Sequence, residues 1–348
     1  MVRVSLCGAV LVGLWALVGC ASAPPAAPEP AKTAKDAADK AAPSDDERRE
    51  TAKERRAFSP MVDGAPVLAG ISYGPYRKGQ RPGGTEPSEA QVREDLQIIA
   101  RHWKMLRVYG SRGSSETILR IIKEDGLGLV VMLGAWIAPN DPQSNEAEVK
   151  EAIRLANLYP QQVAAVSVGN ETQVFWSGHR TDAEVLIGHL RTVRAAVTQP
   201  VTTADDYNFW NKPESHAVVA EVDFVLLHAY AMWNQQQLGD AVAWTVKTVD
   251  SIKAEHPQML VVLGETGWAT ELNPDGDEVK YIKAPAGEAQ QATFYAEFTA
   301  WAQQTGLPYF YFEAFDEPWK GGDDPREVEK HWGLYREDRS PKPAIKTP

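Results

Sequence analysis

Cysteine is nearly absent: the 348 residues hold two, Cys7 and Cys20, both near the N-terminus. The rest of the chain has no disulfide, so its core must hold by packing alone. Basic charge is in deficit. Lys and Arg number 36 against 47 Asp and Glu, for a formal charge of −11. A chain this acidic is a poor partner for nucleic acid or anionic lipid, and no nucleic-acid partner is expected. No Gly-rich phosphate turn follows the first apolar run, which counts against a doubly wound nucleotide-binding sheet. The seven His are scattered without metal-ligand spacing. Neither a cofactor nor a metal is expected. A neutral ligand such as a sugar polymer suits this composition better.

Long apolar runs are also scarce. The longest, VSLCGAVLVGLWALVGC (4–20), follows a lone Arg3. It is too short and wrongly flanked for a membrane span, and reads as a signal peptide over residues 1–19. Its end, LVGC (17–20), resembles the bacterial lipobox, whose Cys is lipidated and becomes the mature N-terminus. Cleavage near ASA (21–23) as a plain secretory signal is the alternative. Cys20 is thus the expected lipidation site, and the lipid the only expected membrane contact. Ala21 after it favours the bacterial outer membrane, by resemblance to Gram-negative lipoproteins. Residues 20–59 are rich in Ala, Pro and charge and offer no apolar face. They are expected to form a disordered tether. Residues 60–348 read as one domain, expected to be monomeric.

Within that domain, short apolar runs alternate with stretches of helical period. The runs are VLAGISYG (67–74), KMLRVYG (104–110), LGLVVMLGAWI (127–137), VAAVSVGNE (163–171), PVTTADDY (200–207), DFVLLHAY (223–230), MLVVLGETGW (259–268) and LPYFYFEAFDEPW (307–319). Between them, Val92, Leu96 and Ile99 follow Ser88 at helical spacing, as do Phe294, Phe298 and Trp301 later. Eight strand–helix units in roughly 280 residues match the α/β class and the size of a (β/α)8 TIM barrel.

Catalytic groups of such a barrel lie at the C-terminal ends of its strands, and here the polar residues gather there. Strand 4 ends in Asn170 and Glu171, strand 7 in Glu265, strand 2 in Arg107 and Tyr109, strand 6 in His228 and Tyr230. Strand 8 ends in Glu313, Asp316 and Glu317. A carboxylate at the rim of a core is costly unless paired or used. Two of them on opposed strands are what glycosidic hydrolysis requires. GISYG (70–74) fits the nucleophile-elbow pattern of Ser hydrolases, but Ser72 sits inside a strand rather than on a sharp strand-to-helix turn. Of 11 Trp, several lie near strand ends: Trp136, Trp176, Trp210, Trp233, Trp268 and Trp319. Aromatic faces stack on sugar C–H faces, and Trp176 and Trp268 are the leading candidates for such platforms, with Trp176 and Trp233 expected on the acceptor side.

These motifs together resemble glycoside hydrolase family 17, the β-1,3-glucanases of clan A. GISYGPY is similar to that family's first strand, with Tyr73 a candidate contact. LRVYG resembles its second strand, VSVGNE its acid/base strand and GETGW its nucleophile motif. YFEAFDEPWK resembles its eighth strand, and EVEKHWGLY (327–335) its closing segment. The resemblance implies Glu171 as acid/base, Glu265 as nucleophile and Asn170 as partner of the sugar 2-hydroxyl. It places Arg107 and Tyr230 on Glu265, and implies a supporting acid–base pair at Glu317 and Lys320. It implies no role for Glu313 or Asp316. The expected partner is a β-glucan. One departure stands out: after strand 6 the chain runs directly into a helix, where plant members insert a longer subdomain that extends the groove. Three activities follow as alternatives: a retaining β-1,3-glucan hydrolase, a transglucosylase using the same two Glu, or a non-catalytic glucan-binding lipoprotein.

Overall fold

The computed structural model describes residues 54–345. The expected signal peptide, the expected lipidation site Cys20 and most of the expected tether lie outside them. Eight parallel strands close a barrel: β1 Ala69–Ser72, β2 Met105–Arg107, β3 Val130–Ala135, β4 Val163–Asn170, β5 Val201–Asp206, β6 Val225–His228, β7 Val261–Glu265 and β8 Tyr309–Tyr311. Each falls within one of the eight apolar runs. β8 pairs with both β1 and β7 and completes the ring. The strands read as near-continuous apolar runs because both of their faces are covered, one by barrel-interior side chains and the other by helices.

Six helices of ten or more residues surround the ring among the described residues: α1 Glu89–Ile99, α2 Ser115–Glu124, α3 Pro142–Leu158, α4 Ala183–Ala196, α7 Leu238–Glu255 and α8 Glu288–Thr305. Ser88 caps α1 in a reciprocal box with Gln91, and Val92, Leu96 and Ile99 are buried on its inner face. The regular repeat of eight units breaks twice. After β5 stand two short helices, α5 Tyr207–Trp210 and α6 Ser215–Val219. Pro213 between them cannot continue a helix. After β8 the described residues hold no α-helix, only a 3-10 turn at Val328–Lys330. Pro318, Gly321, Gly322 and Pro325 oppose one there. The chain instead folds back beside the strand end, with Leu334 N donating to Glu313 O and Tyr335 N to Ala314 O, both at 2.9 Å.

Inward side chains change character along each strand, two residues at a time. The lower interior is apolar: Met105, Val130, Met132, Ala165, Ala204, Leu226, Val262 and Phe310 form one cluster. Two residues further along their strands stand Arg107, Asp206 and His228. Below the cluster, Phe58 stacks on Phe224 with ring centroids 4.6 Å apart and plugs the floor. Arg56 fixes the plug. Its backbone N donates to Asp223 Oδ1 at 2.9 Å and its guanidinium to the carbonyls of Gln199 and Arg194 at 2.9 and 2.7 Å. Residues 54–58, tether by composition, therefore pack against the barrel.

Candidate active site

Alternation would send Asn170 and Glu171 to opposite faces of β4. The backbone breaks the alternation. Gly169 and Glu171 adopt positive φ (+82° and +50°), and the register with β5 shifts between Ser167 and Asn170. Both side chains then reach the mouth. A second register shift, between β6 and β7, sets Glu265 beside His228. Bulges of this kind re-aim side chains at barrel rims.

The side chains form one network. Arg107, 2% exposed, donates through Nη1 to Glu265 Oε1 at 2.7 Å and through Nη2 to Asn170 Oδ1 at 2.6 Å. Tyr109 OH donates to Glu265 Oε1 at 2.8 Å, and Tyr230 OH to Oε2 at 2.7 Å. With its carbonyl taken by Arg107, Asn170 has its amide N–H edge left for a ligand. His228 Nδ1 lies 3.0 Å from Glu171 Oε1. Glu171, His228 and Glu265 each present an atom within 4.8 Å of the others. That set has the makings of a metal site, but the Arg107 cation already lies against Glu265 Oε1 and 3.0 Å from His228 Nε2. The donor set does not favour a metal ion.

The two carboxyls are buried alike and held in opposite states. Burial pushes Glu171 up to about 8, and the neighbouring charge of Glu265 adds to the rise, while Arg107 opposes it. Burial presses the same way on Glu265, but the Arg107 cation and the hydroxyls of Tyr230 and Tyr109 overcome it and hold the carboxyl below its ordinary range. At neutral pH Glu171 keeps its proton and Glu265 is ionised.

Arg107, Tyr109, Asn170, Glu171, Tyr230 and Glu265 thus meet at the mouth of the barrel. Tyr73 does not join them. It is 1% exposed and points outward from β1 towards α1, its OH donating to Asp95 Oδ2 at 3.1 Å. Trp268 is no sugar platform: it is wholly buried against Phe294, with Nε1 donating to Pro285 O at 3.1 Å. Trp210 is equally buried and donates to Leu226 O. Trp233 is 8% exposed and stacks on Trp332, which leaves little face for a sugar. Trp176 stays half-buried, and the adjacent Phe175, absent from the predicted platforms, is 46% exposed. Glu317 and Lys320 do pair, at 2.7 Å, with Glu313 as a third member also 2.7 Å from Lys320. All three are buried, so their charged ends address one another rather than a ligand. Lys320 lies 4.3 Å over the Phe312 ring, which packs edge-on against Tyr230 and Tyr109. Asp316 holds the closing segment through Lys342 and Gly333 N. Sequence reading gave no part to Glu329, buried in that segment with Oε1 lacking a partner among the described residues, nor to His228, although it sits two residues before Tyr230 on the same strand.

A parallel barrel with two unlike carboxyls facing one another at its C-terminal mouth is the layout of the barrel glycoside hydrolases. Residues 70–333 match the BtgE/BtgC glycoside hydrolase domain, and the chain belongs to that family. A glucan 1,3-beta-glucosidase of Arthroderma benhamiae is 31% identical over 297 residues, covering 81% of this chain and 92% of its own. Among solved structures, an endo-laminarinase from Formosa Hel1_33_131 superposes with a TM-score of 0.70 at 26% identity, over 78% of this chain and 84% of the other. A glycoside hydrolase family 17 beta-1,3-glucanosyltransferase from Rhizomucor miehei shares the fold, with a TM-score of 0.66 at 24% identity over 80% and 96% of the two chains.

Proposed function

We propose that the protein is a retaining glycoside hydrolase acting on β-1,3-glucan, with Glu265 as nucleophile and Glu171 as acid/base. The observation that carries this reading is the pair of buried carboxyls facing one another, one oxygen of each within 4.8 Å; burial and neighbouring charge push their pKa values apart. A retaining pair stands about 5–5.5 Å apart, whereas an inverting pair needs about 6.5–9.5 Å to admit water between. The relatives' activities point to β-1,3-glucan as the substrate. Glu265 attacks the anomeric carbon while Glu171 gives its proton to the departing glycosidic oxygen. Glu171, now ionised, then takes a proton from water as the water oxygen bonds to the anomeric carbon and the glycosyl–Glu265 bond breaks, releasing the sugar and restoring the Glu265 carboxylate. When a second sugar delivers the hydroxyl instead, the product is a longer glucan. The connection from β6 to α7, residues 229–237, is short and held by Tyr207 OH on Asn234 Oδ1 at 2.6 Å, which favours a compact acceptor side and keeps transfer as the second reading.

Replacing Glu265 by Ala is expected to lower turnover about a thousandfold or more and, with azide, to yield the α-glycosyl azide. A β-azide would exchange the roles of the two Glu. With the unaltered enzyme and laminaripentaose, early products longer than the pentamer mark transfer, and shorter sugars alone mark hydrolysis.

A further inference from the structure

His228 is a wholly buried titratable group at the mouth to which the mechanism above gives no task. Its ring lies between the two carboxyls. Nδ1 is 3.0 Å from Glu171 Oε1, while Nε2 is 3.0 Å from Arg107 Nη1 and 3.4 Å from Glu265 Oε1. Asp206 faces it across the β5–β6 ladder. Arg107 Nη1 also donates to Gly264 O at 3.0 Å, so its two hydrogens serve three acceptors. A guanidinium can only donate, and a ring N–H set against it at 3.0 Å would put two hydrogens in collision, so Nε2 faces it as an acceptor. The ring proton is then on Nδ1, and Nδ1–H donates to Glu171 Oε1. Burial keeps the imidazole neutral, with its pKa lowered to about 4.

This fixed tautomer has a consequence for the acid. An oxygen that accepts from Nδ1–H cannot also carry the carboxyl hydrogen along that direction without setting two hydrogens against each other. The acid proton is therefore placed on Oε2. We propose that His228 is a positioning residue: held in one tautomer by Arg107, it reserves Oε1 of Glu171 as an acceptor and keeps the transferable proton on Oε2, towards the glycosidic oxygen. Once the proton has left, the same donor steadies the carboxylate for its turn as base. The inference rests on Glu171 being the acid/base.

The test compares kcat/KM, which reports the first chemical step, on two substrates. A laminari-oligosaccharide loses an alcohol and needs the acid. A 2,4-dinitrophenyl laminaribioside loses a phenolate and does not. His228→Asn places an amide N–H near the Nδ1 position, His228→Gln near Nε2, and His228→Leu removes both. Gln and Leu are expected to lose about ten- to hundredfold on the oligosaccharide, a part of what a general acid contributes, and less than about threefold on the aryl substrate. Asn is expected to stay within about threefold of the parent on both. Equal losses on the two substrates, or equal behaviour of Asn and Gln, would overturn the inference. Should the Leu variant fail to fold, the contrast between Asn and Gln decides. Glu171→Gln, run beside them, separates the two levels. If its loss is not selective for the oligosaccharide, the acid assignment fails; if it is selective while the His228 variants are not, only the role of His228 fails.

Discussion

Three donors converge on Glu265: Arg107 and Tyr109 on Oε1, Tyr230 on Oε2. Each favours the ionised form, and a hydrogen bond to a charged group contributes about 1.5–3 kcal/mol. The free enzyme works with Glu265 ionised and Glu171 protonated. Its kcat/KM therefore climbs as Glu265 loses its proton, below the ordinary carboxyl range, and falls as Glu171 loses its own near pH 8. Tyr230→Phe removes the one donor that Oε2 has among the described residues. The Glu265 pKa then rises, so the acidic limb moves to higher pH. Glu265 is still ionised near pH 8, so Glu171 feels the same neighbouring charge and the basic limb stays in place. A pH profile of kcat/KM on a laminari-oligosaccharide checks both limbs, with a loss at the plateau of about ten- to hundredfold. These partners were legible in the sequence because barrel chemistry sits at strand ends. What a strand end does not reveal is the face. Tyr73 and Trp268 lie at strand ends as Arg107 and Glu265 do, yet they point into the helix layer. His228 escaped for another reason: its part depends on three residues from three other strands meeting its ring.

Strands were the most legible elements. A parallel strand covered on both faces is a short continuous apolar run, and all eight could be read directly. The register shifts that turn Asn170 and Glu171 together into the mouth leave no such trace, since they depend on the neighbouring strand. Neither did the runs foretell that β5 is followed by two short helices and β8, among the described residues, by none, although Pro213 and the Pro- and Gly-rich stretch after Asp316 carried the signal. Strand separation depends on Gly134 at the end of β3. A Cβ there would lie 2.3 Å from the Tyr109 carbonyl and 2.5 Å from Val108 O, backbone atoms that cannot rotate aside. Gly134→Ala therefore forces β2 away from β3 and draws Tyr109 off Glu265. Urea unfolding is expected to show a loss of about 1–3 kcal/mol, the usual cost of overpacking, together with reduced kcat/KM. If neither quantity moves, the two strands part more easily than their packing implies.

At the scale of the molecule, the barrel has two unlike poles. The mouth is charged and hydrogen-bonded; the floor is closed by Phe58 on Phe224 beneath an apolar interior. Phe58→Ala opens a cavity under that interior, a change that costs about 3–5 kcal/mol in a closed core. The unfolding midpoint is expected to fall accordingly, while kcat on a laminari-oligosaccharide well below the midpoint stays unchanged, because the plug and Glu265 occupy opposite ends of the barrel. A parallel fall in kcat would show that floor and mouth move together. The plug also fixes the chain at residue 56 to the floor. Arg56 ties the chain to Asp223, Gln199 and Arg194 at the floor, the pole opposite Glu265. Were Cys20 to carry a lipid, residues 20–53 would be the mooring line, with a reach of roughly 110–120 Å when fully drawn out. A pull on that line would draw the floor towards the bilayer and turn the catalytic opening outward, and the line's length would set the radius within which the enzyme could graze on glucan.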